Sequence, residues 1–192
     1  VGAWCPREDC ELHSQPGWSG CLDVWVTRAH SSSPAVTAGW REWIRLPDLG
    51  VGPVKAKLDT GARTSALHAF DLEEFDRDGT GWVRFSVHPW QRSDQDAVAV
   101  ECPVHDRRVV RSSTGHAQER IVVRTAIELL GTTVTTEITL TRRDEMGFRM
   151  LVGREALRQG FLVDAGRSYL GGRPPRKVRR RNRGRSGGND GA

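Results

Sequence analysis

Val54-Lys55-Ala56-Lys57-Leu58-Asp59-Thr60-Gly61-Ala62 joins an alternating run of apolar and charged residues to a short polar turn. Apolar side chains at every second position, from Val54 to Leu58, are typical of a half-buried β-strand. Asp59 and Gly61 favour a tight turn at the end of this strand, because an Asp carboxylate bonds its own backbone and Gly adopts unusual backbone angles. An ordinary turn and a turn that presents a reactive carboxylate both fit these residues, and the rest of the chain has to distinguish them.

The surrounding sequence predicts an all-β domain whose turns are marked by glycine. Residues 121–129 and 134–140 alternate on either side of Gly131, which predicts a long antiparallel hairpin. One late helix is predicted at Arg154–Gln159, ended by Gly160. Many short strands with a single helix indicate a small closed or sandwiched β domain. The other predicted strands are residues 83–87, Glu42–Leu46, Val54–Leu58, Val98–Cys102, Arg108–Arg111, Arg149–Val152 and Leu162–Asp164.

Composition and charge divide the 192 residues into three zones. Residues 1–38 show no apolar periodicity and are expected to form a leader of low order. Residues 39–172 hold the periodic pattern and form the predicted domain. Residues 173–192 carry eight Arg or Lys against one Asp, so we expect a disordered basic tail with at most weak, non-specific attraction to nucleic acid. No apolar run is long enough to span a membrane, and no secretory signal is predicted, so we expect a cytoplasmic protein.

The sequence argues against a resident metal or nucleotide. It contains no His-Glu-x-x-His helix and no Gly-x-x-x-x-Gly-Lys-Ser/Thr loop. Cys102, His105 and His116 could meet around zinc only across loops of unknown shape, and Cys5, Cys10 and Cys21 match no common zinc spacing. We therefore expect no cofactor and no metal.

A second motif, Phe148-Arg149-Met150-Leu151-Val152-Gly153-Arg154, follows the Asp-Thr-Gly turn about ninety residues later. This pair, in this order inside an all-β chain, resembles the retropepsin-like aspartic proteases. The stretches 57–68, 107–116 and 142–157 are closer still to a bacterial branch often labelled "ATP-dependent zinc protease". Members of that branch are found beside, or fused to, ATP-grasp ligases of the RimK type that add glutamate to proteins. The resemblance covers residues 40–170 and implies a closed retropepsin-like β-barrel with one short C-terminal helix.

The resemblance also implies roles for individual residues. Asp59 would be the catalytic aspartate, with Thr60 bracing the turn and Gly61 allowing close approach of substrate. The segment 91–118 lies where a retropepsin flap would be. Substrate binding or structural support is assigned to Ala62, Arg63, Arg111, Ser112, Ser113, Gly115, Gly153 and Arg154.

Aspartic proteolysis needs two carboxylates facing one water, one ionised and one protonated. The chain supplies one Asp-Thr-Gly, and Asp164-Ala165-Gly166 lacks the hydroxyl residue of a second copy. A symmetric homodimer that pairs Asp59 with its twin is therefore the expected solution. Family context suggests glutamate-tailed or otherwise ligase-modified proteins as substrates, and a basic lining from Arg63, Arg107, Arg108 and Arg111 would suit them. The alternative is a catalytically inactive binding module of the same fold that partners an ATP-grasp ligase.

Overall fold

The structure is a computed structural model that describes residues 35–93, 96–111, 117–141 and 147–184. These residues form twelve strands, a short 3₁₀ helix at Pro47–Leu49 and two short α-helices. The strands are β1 (Val36–Gly39), β2 (Arg41–Leu46), β3 (Val51–Asp59), β4 (Ser65–His68), β5 (Phe70–Arg77), β6 (Thr80–Val87), β7 (Val98–Pro103), β8 (Asp106–Arg111), β9 (Ala117–Leu129), β10 (Thr132–Thr141), β11 (Met150–Gly153) and β12 (Phe161–Asp164). The helices are α1 (Arg154–Leu157) and α2 (Arg176–Arg181).

Six strands close into a ring by backbone pairing. Their order is β10-β4-β11-β3-β2-β9, and β9 pairs again with β10, so the ring has no open edge within it. Strand β8 extends the sheet from β9, and β5-β6-β7 form a separate three-stranded sheet. Ring closure removes the unpaired edges that an open sheet of this size would expose.

The ring encloses the core because its strands alternate. In β3, Val54, Ala56 and Leu58 are buried. Lys55 and Lys57 lie on the other face, where Lys55 is half-buried and Lys57 is exposed. The opposite wall comes from the β9–β10 hairpin, where Ile127 and Ile138 are fully buried. Each fully buried side chain of this kind contributes about 1.5–3 kcal/mol through removal of apolar surface from water.

Most of the predicted strands are confirmed. The hairpin pairs Thr132 with Leu129 across a two-residue turn, and both turn residues, Leu130 and Gly131, have positive φ. Gly131 fits that turn because a residue without Cβ adopts positive φ at no steric cost. The predicted strands at 42–46, 54–58, 83–87, 98–102, 108–111, 149–152 and 162–164 correspond to β2, β3, β6, β7, β8, β11 and β12 with small shifts at their ends.

Strands β4 and β5 and the 3₁₀ helix were not predicted from the sequence, and three further elements differ from the expectation. The predicted helix at 154–159 is shorter, because α1 ends at Leu157. Strand β1 begins inside the predicted leader, at residues 36–38, and pairs in parallel with β12, Val36 opposite Phe161. Helix α2 lies inside the segment expected to be disordered and is followed by Asn182, whose side chain is buried. Strand β1 and helix α2 both depend on contacts with distant parts of the chain, which local composition does not reveal.

Candidate active site

Asp59 is the last residue of β3 and opens the predicted turn. Its Oδ1 accepts hydrogen bonds from the main-chain N–H of Gly61 (3.1 Å) and Ala62 (3.3 Å). The side chain is 28% exposed, and Oδ2 lies 3.6 Å from the Lys57 ammonium. Two main-chain donors and a neighbouring cation orient this carboxylate, and the side chain remains partly exposed to solvent. Thr60 and Gly61 are exposed beside it.

Strand β11 and helix α1 hold the Asp59 turn from behind. Gly153 pairs with Asp59 in parallel register, and a Cβ at Gly153 would lie 2.5 Å from the carbonyl carbon of Thr64. The first two amides of α1 donate to the turn, Arg154 to the Ala62 carbonyl (2.8 Å) and Glu155 to the Arg63 carbonyl (3.1 Å). Gly153 is therefore required for a close approach of two backbones behind the Asp59 turn.

The predicted arginines near the turn point outward. The Arg154 side chain is exposed, and its contact with the turn comes from its main-chain N–H and not from its guanidinium. Arg63 is 79% exposed and lies 3.6 Å from a carboxylate oxygen of Glu155. Both side chains are thus accessible to solvent in this single chain.

The rest of the predicted basic lining is engaged elsewhere. Arg107 pairs with Glu74, and Arg108 pairs with Asp106 and Glu137. Arg111 ends β8, opposite Ala117 of β9. Ser112, Ser113, Gly115 and His116 lie outside the described residues, as do residues 94 and 95 of the predicted flap segment 91–118.

Zinc ligands do not come together in the described part of the chain. No group of three His, Cys, Asp or Glu side chains within residues 35–93, 96–111, 117–141 and 147–184 is arranged to hold a metal ion. His105 contacts Glu137 at 3.2 Å, and burial raises the pKa of the Cys102 thiol to about 11. A protonated, buried thiol is a poor nucleophile and a poor ligand.

Two residues that sequence reasoning missed support the site directly. Ser65 is fully buried, and its hydroxyl accepts the Gly153 N–H at 3.1 Å. Lys57 lies beside Asp59. It could have been predicted, because residues two positions apart in an alternating strand lie on the same face. Ser65 gave no such signal, because β4 is four residues long and buried throughout.

An all-β fold in which one Asp-Thr-Gly turn is backed by an apolar strand, a Gly-Arg pair and a short helix defines a retropepsin-like protein. The chain belongs to the RimB-like family, described as retropepsin-like aspartic endopeptidase RimB, whose model matches residues 37–174. The family expectation from the sequence is therefore confirmed, and with it the all-β class of the fold.

Sequence relatives carry a different name. The chain is 45% identical over 131 residues to a probable alpha-L-glutamate ligase of Shewanella pealeana, covering 68% of this chain and 29% of that protein. It is 42% identical over 126 residues to a probable alpha-L-glutamate ligase of Desulfotalea psychrophila, covering 66% and 27%. The chain thus corresponds to less than a third of the length of these relatives.

A solved structure shares the fold. The crystal structure of Lpg0085 from Legionella pneumophila, a protein of unknown function, superposes with a TM-score of 0.60 at 26% identity, covering 71% of this chain and 98% of that one. In the described part of the present chain, no helix is long and apolar enough to cross a bilayer.

Proposed function

We propose that this protein is an aspartic-type endopeptidase in which Asp59 of one chain and Asp59 of a second chain activate one water. The observation that carries the proposal is the oriented, partly exposed Asp59 carboxylate, with Oδ1 held by two main-chain amides and Oδ2 3.6 Å from the Lys57 ammonium. Thr60 would brace the two turns against each other, and Gly61 would let substrate approach.

The mechanism explains why a second chain is needed. Two carboxylates about 4 Å apart repel by about 4 kcal/mol at an effective dielectric of 20, which favours retention of one shared proton. The ionised partner then takes a proton from water while the protonated one donates to the substrate carbonyl. Since the chain holds a single Asp-Thr-Gly, a homodimer supplies both roles.

Family context supports glutamate-tailed or otherwise ligase-modified proteins as substrates. Relatives named as glutamate ligases contain a region like this chain, which is consistent with a functional link to an ATP-grasp ligase. The cytoplasm is the compartment where such a ligase and its ATP would be found, so we place this chain there as part of the proposal. ATP dependence would belong to the ligase and not to this chain.

The test compares wild type with Asp59→Asn on a library of peptides that includes oligoglutamate. Asn keeps an Oδ1 that accepts the Gly61 and Ala62 amides, so the variant should fold with an unchanged melting temperature and lose cleavage entirely. Cleavage that survives in Asp59→Asn, or that a chelator abolishes, would contradict the proposal. Sedimentation of wild type should give a dimer at concentrations where cleavage is measured.

The second candidate is a binding module that partners a ligase without cleaving anything. The observation that favours it is the name of the relatives, which are ligases in which this region covers 27–29% of the length. A persistent monomer that binds peptide, with no cleavage by wild type, would support this candidate over the peptidase.

A further inference from the structure

A row of alternating cations and aromatic rings runs along the outer face of β2 and β3. The Lys55 ammonium lies 5.0 Å from the centre of the Phe148 ring, and Phe148 packs edge-to-face on Trp40 at 5.9 Å. The Arg41 guanidinium lies 4.6 Å from the Trp40 ring. All four side chains are half-buried, so each cation is held by an aromatic surface and still reaches solvent.

The row continues onto the segment after β12. Arg41 also lies 5.2 Å from the Tyr169 ring, and Arg173 lies 5.1 Å from the same ring. Arg41 is fixed further by a hydrogen bond from its Nε to the Ser168 hydroxyl at 3.1 Å. Arg92 and Arg183 interact electrostatically with Lys55, and the backbones of Arg92 and Gly184 are in close contact. We call Arg41, Lys55, Arg92, Arg173 and Arg183 the cation row.

Arg173 and Arg183 belong to a C-terminal segment, residues 173–184, that docks on the domain near its end. The Asn182 side chain accepts the Gln91 N–H at 2.9 Å, and a Cβ at Gly184 would lie 2.6 Å from the Arg92 carbonyl oxygen. Arg181 pairs with Asp96 at 3.0 Å. These contacts hold the segment against Gln91, Arg92 and Asp96, and they involve residues beyond the family match, which ends at 174.

The cation row carries mutual repulsion. Burial lowers the pKa of Lys55, and the charges of Arg41, Arg92 and Arg183 lower it further. The nearby carboxylate of Glu42 is buried, and its oxygens accept main-chain N–H groups. Like charges gathered at a partly desolvated surface favour an anionic partner, because the partner offsets their repulsion.

The row leads to the candidate active site. Lys55, Lys57 and Asp59 occupy alternate positions of β3 and therefore share one face, and Arg41 lies opposite Lys57 in the β2–β3 register. A peptide that reaches the Asp59 carboxylate along β3 would pass over these cations.

We propose that the cation row, completed by the docked segment after residue 172, is a recognition site for the side-chain carboxylates of an acidic peptide bound at Asp59. The proposal rests on the proposed function for its choice of peptide. It assigns specificity to Arg41, Lys55, Arg92, Arg173 and Arg183, in place of the paired Arg107 and Arg108.

The geometry favours carboxylates over nucleic-acid bases. Base stacking needs an open aromatic face. Here cations lie over Phe148 and Trp40, and two of them lie over Tyr169. The rings position the cations, and the cations are left to contact the ligand through charge-assisted hydrogen bonds.

The experiment measures binding separately from cleavage. The parent is the full chain carrying Asp59→Asn, and the probes are fluorescently labelled hexaglutamate, hexaglutamine and hexauridylate. Lys55→Gln, Arg173→Gln and Arg183→Gln should each weaken hexaglutamate binding about two- to five-fold, the range for single exposed charge pairs. Asn182→Ala, which removes the hydrogen bond that docks the segment, should weaken it similarly. Arg84→Gln, the same charge change on the three-stranded sheet, should leave it unchanged.

Equal affinity for hexaglutamine, or unchanged affinity in all the row variants with parent-like melting temperatures, would overturn the proposal. So would tighter binding of hexauridylate that is lost in the same variants, because the row would then be a nucleic-acid site. If the row variants lose hexaglutamate binding while wild type cleaves no peptide, the recognition site stands and the peptidase proposal fails.

Discussion

Gly153 donates its main-chain N–H to the hydroxyl of Ser65 over 3.1 Å, linking two buried residues 88 positions apart. The bond joins β11 to the start of β4, directly after the turn that Asp59 opens. Position 153 also allows the backbones of Arg63 and Thr64 to approach, since a Cβ there would meet main-chain atoms at 2.5–2.8 Å. The Asp59 carboxylate is thus positioned mainly by the packing of one backbone against another, with the Ser65 hydroxyl as a side-chain support.

We therefore expect Gly153→Ala to be strongly destabilising. The added methyl group would force backbone atoms of the Asp59 turn to move, and overpacking of this kind costs about 1–3 kcal/mol or more. Chemical denaturation should show a lower midpoint, and any cleavage activity should fall more than the loss of folded protein explains. Gly81→Ala is the matched control, because a Cβ at Gly81 meets nothing within 4 Å. Equal stability of the two variants would contradict this account of the turn.

A second prediction concerns Glu42, a fully buried carboxylate in β2. Its Oε1 accepts the N–H groups of Gly39 and Leu170 at 2.8 Å, and Oε2 accepts that of Gly171 at 3.3 Å. Glu42→Gln replaces one acceptor with an NH₂ group that faces another donor, so we expect a loss of about 1–3 kcal/mol in the free energy of unfolding. The exposed Glu119 provides the control, and Glu119→Gln should unfold at the parent's denaturant concentration.

The sequence was sufficient to predict the alternating strands and the turn that Asp59 opens. Strand β3 and the β9–β10 hairpin alternate clearly, whereas the link between the Asp59 and Gly153 motifs came from the resemblance to the retropepsin-like proteases. Such strands can be predicted from the local alternation of apolar and polar residues, because one of their faces is buried and the other is exposed.

Other elements left no local signal. Strand β4 is buried on both faces, and β5 is mostly exposed and acidic, so neither alternates. Helix α2 is rich in arginine and is held by Asn182 and Arg181 against residues 91 and 96. The cation row combines residues from both ends of the domain, and only the fold brings them together.

Acid should destabilise the protein through a set of exposed ion pairs. The pKa of Glu137 and that of Asp106 are lowered, chiefly by hydrogen bonds from Arg108, and the pKa of Glu101 is lowered chiefly by Arg77. A lowered folded-state pKa means that the unfolded chain binds more protons on acidification. The stabilisation is therefore complete above about pH 4.5 and is lost as the pH falls through the lowered pKa values.

Urea unfolding at pH 7 and pH 3 checks this expectation. The midpoint should fall on acidification, and Arg108→Gln should show a smaller fall because two of the three pairs are already gone. An identical fall in Arg108→Gln and in the parent would assign the acid sensitivity to other carboxyl groups.

The last prediction separates stability from recognition at Lys55. Burial and the neighbouring arginines lower its pKa, so the charged ammonium destabilises the folded state at pH 7 and the stability should rise as the pH approaches 10. Lys55→Met removes the charge and keeps a flexible stem that can pack on Phe148. We expect the melting temperature to rise by no more than about 1–2 °C, because Lys55 is only half-buried and solvent screens the repulsion. Calorimetry at pH 7 and pH 10 should show this advantage shrinking at the higher pH, while hexaglutamate binding weakens at pH 7. Parental affinity for hexaglutamate would show that Lys55 is not part of the recognition site. Lower stability at pH 7 would show that the packing of Lys55 on Phe148 outweighs the repulsion of its charge.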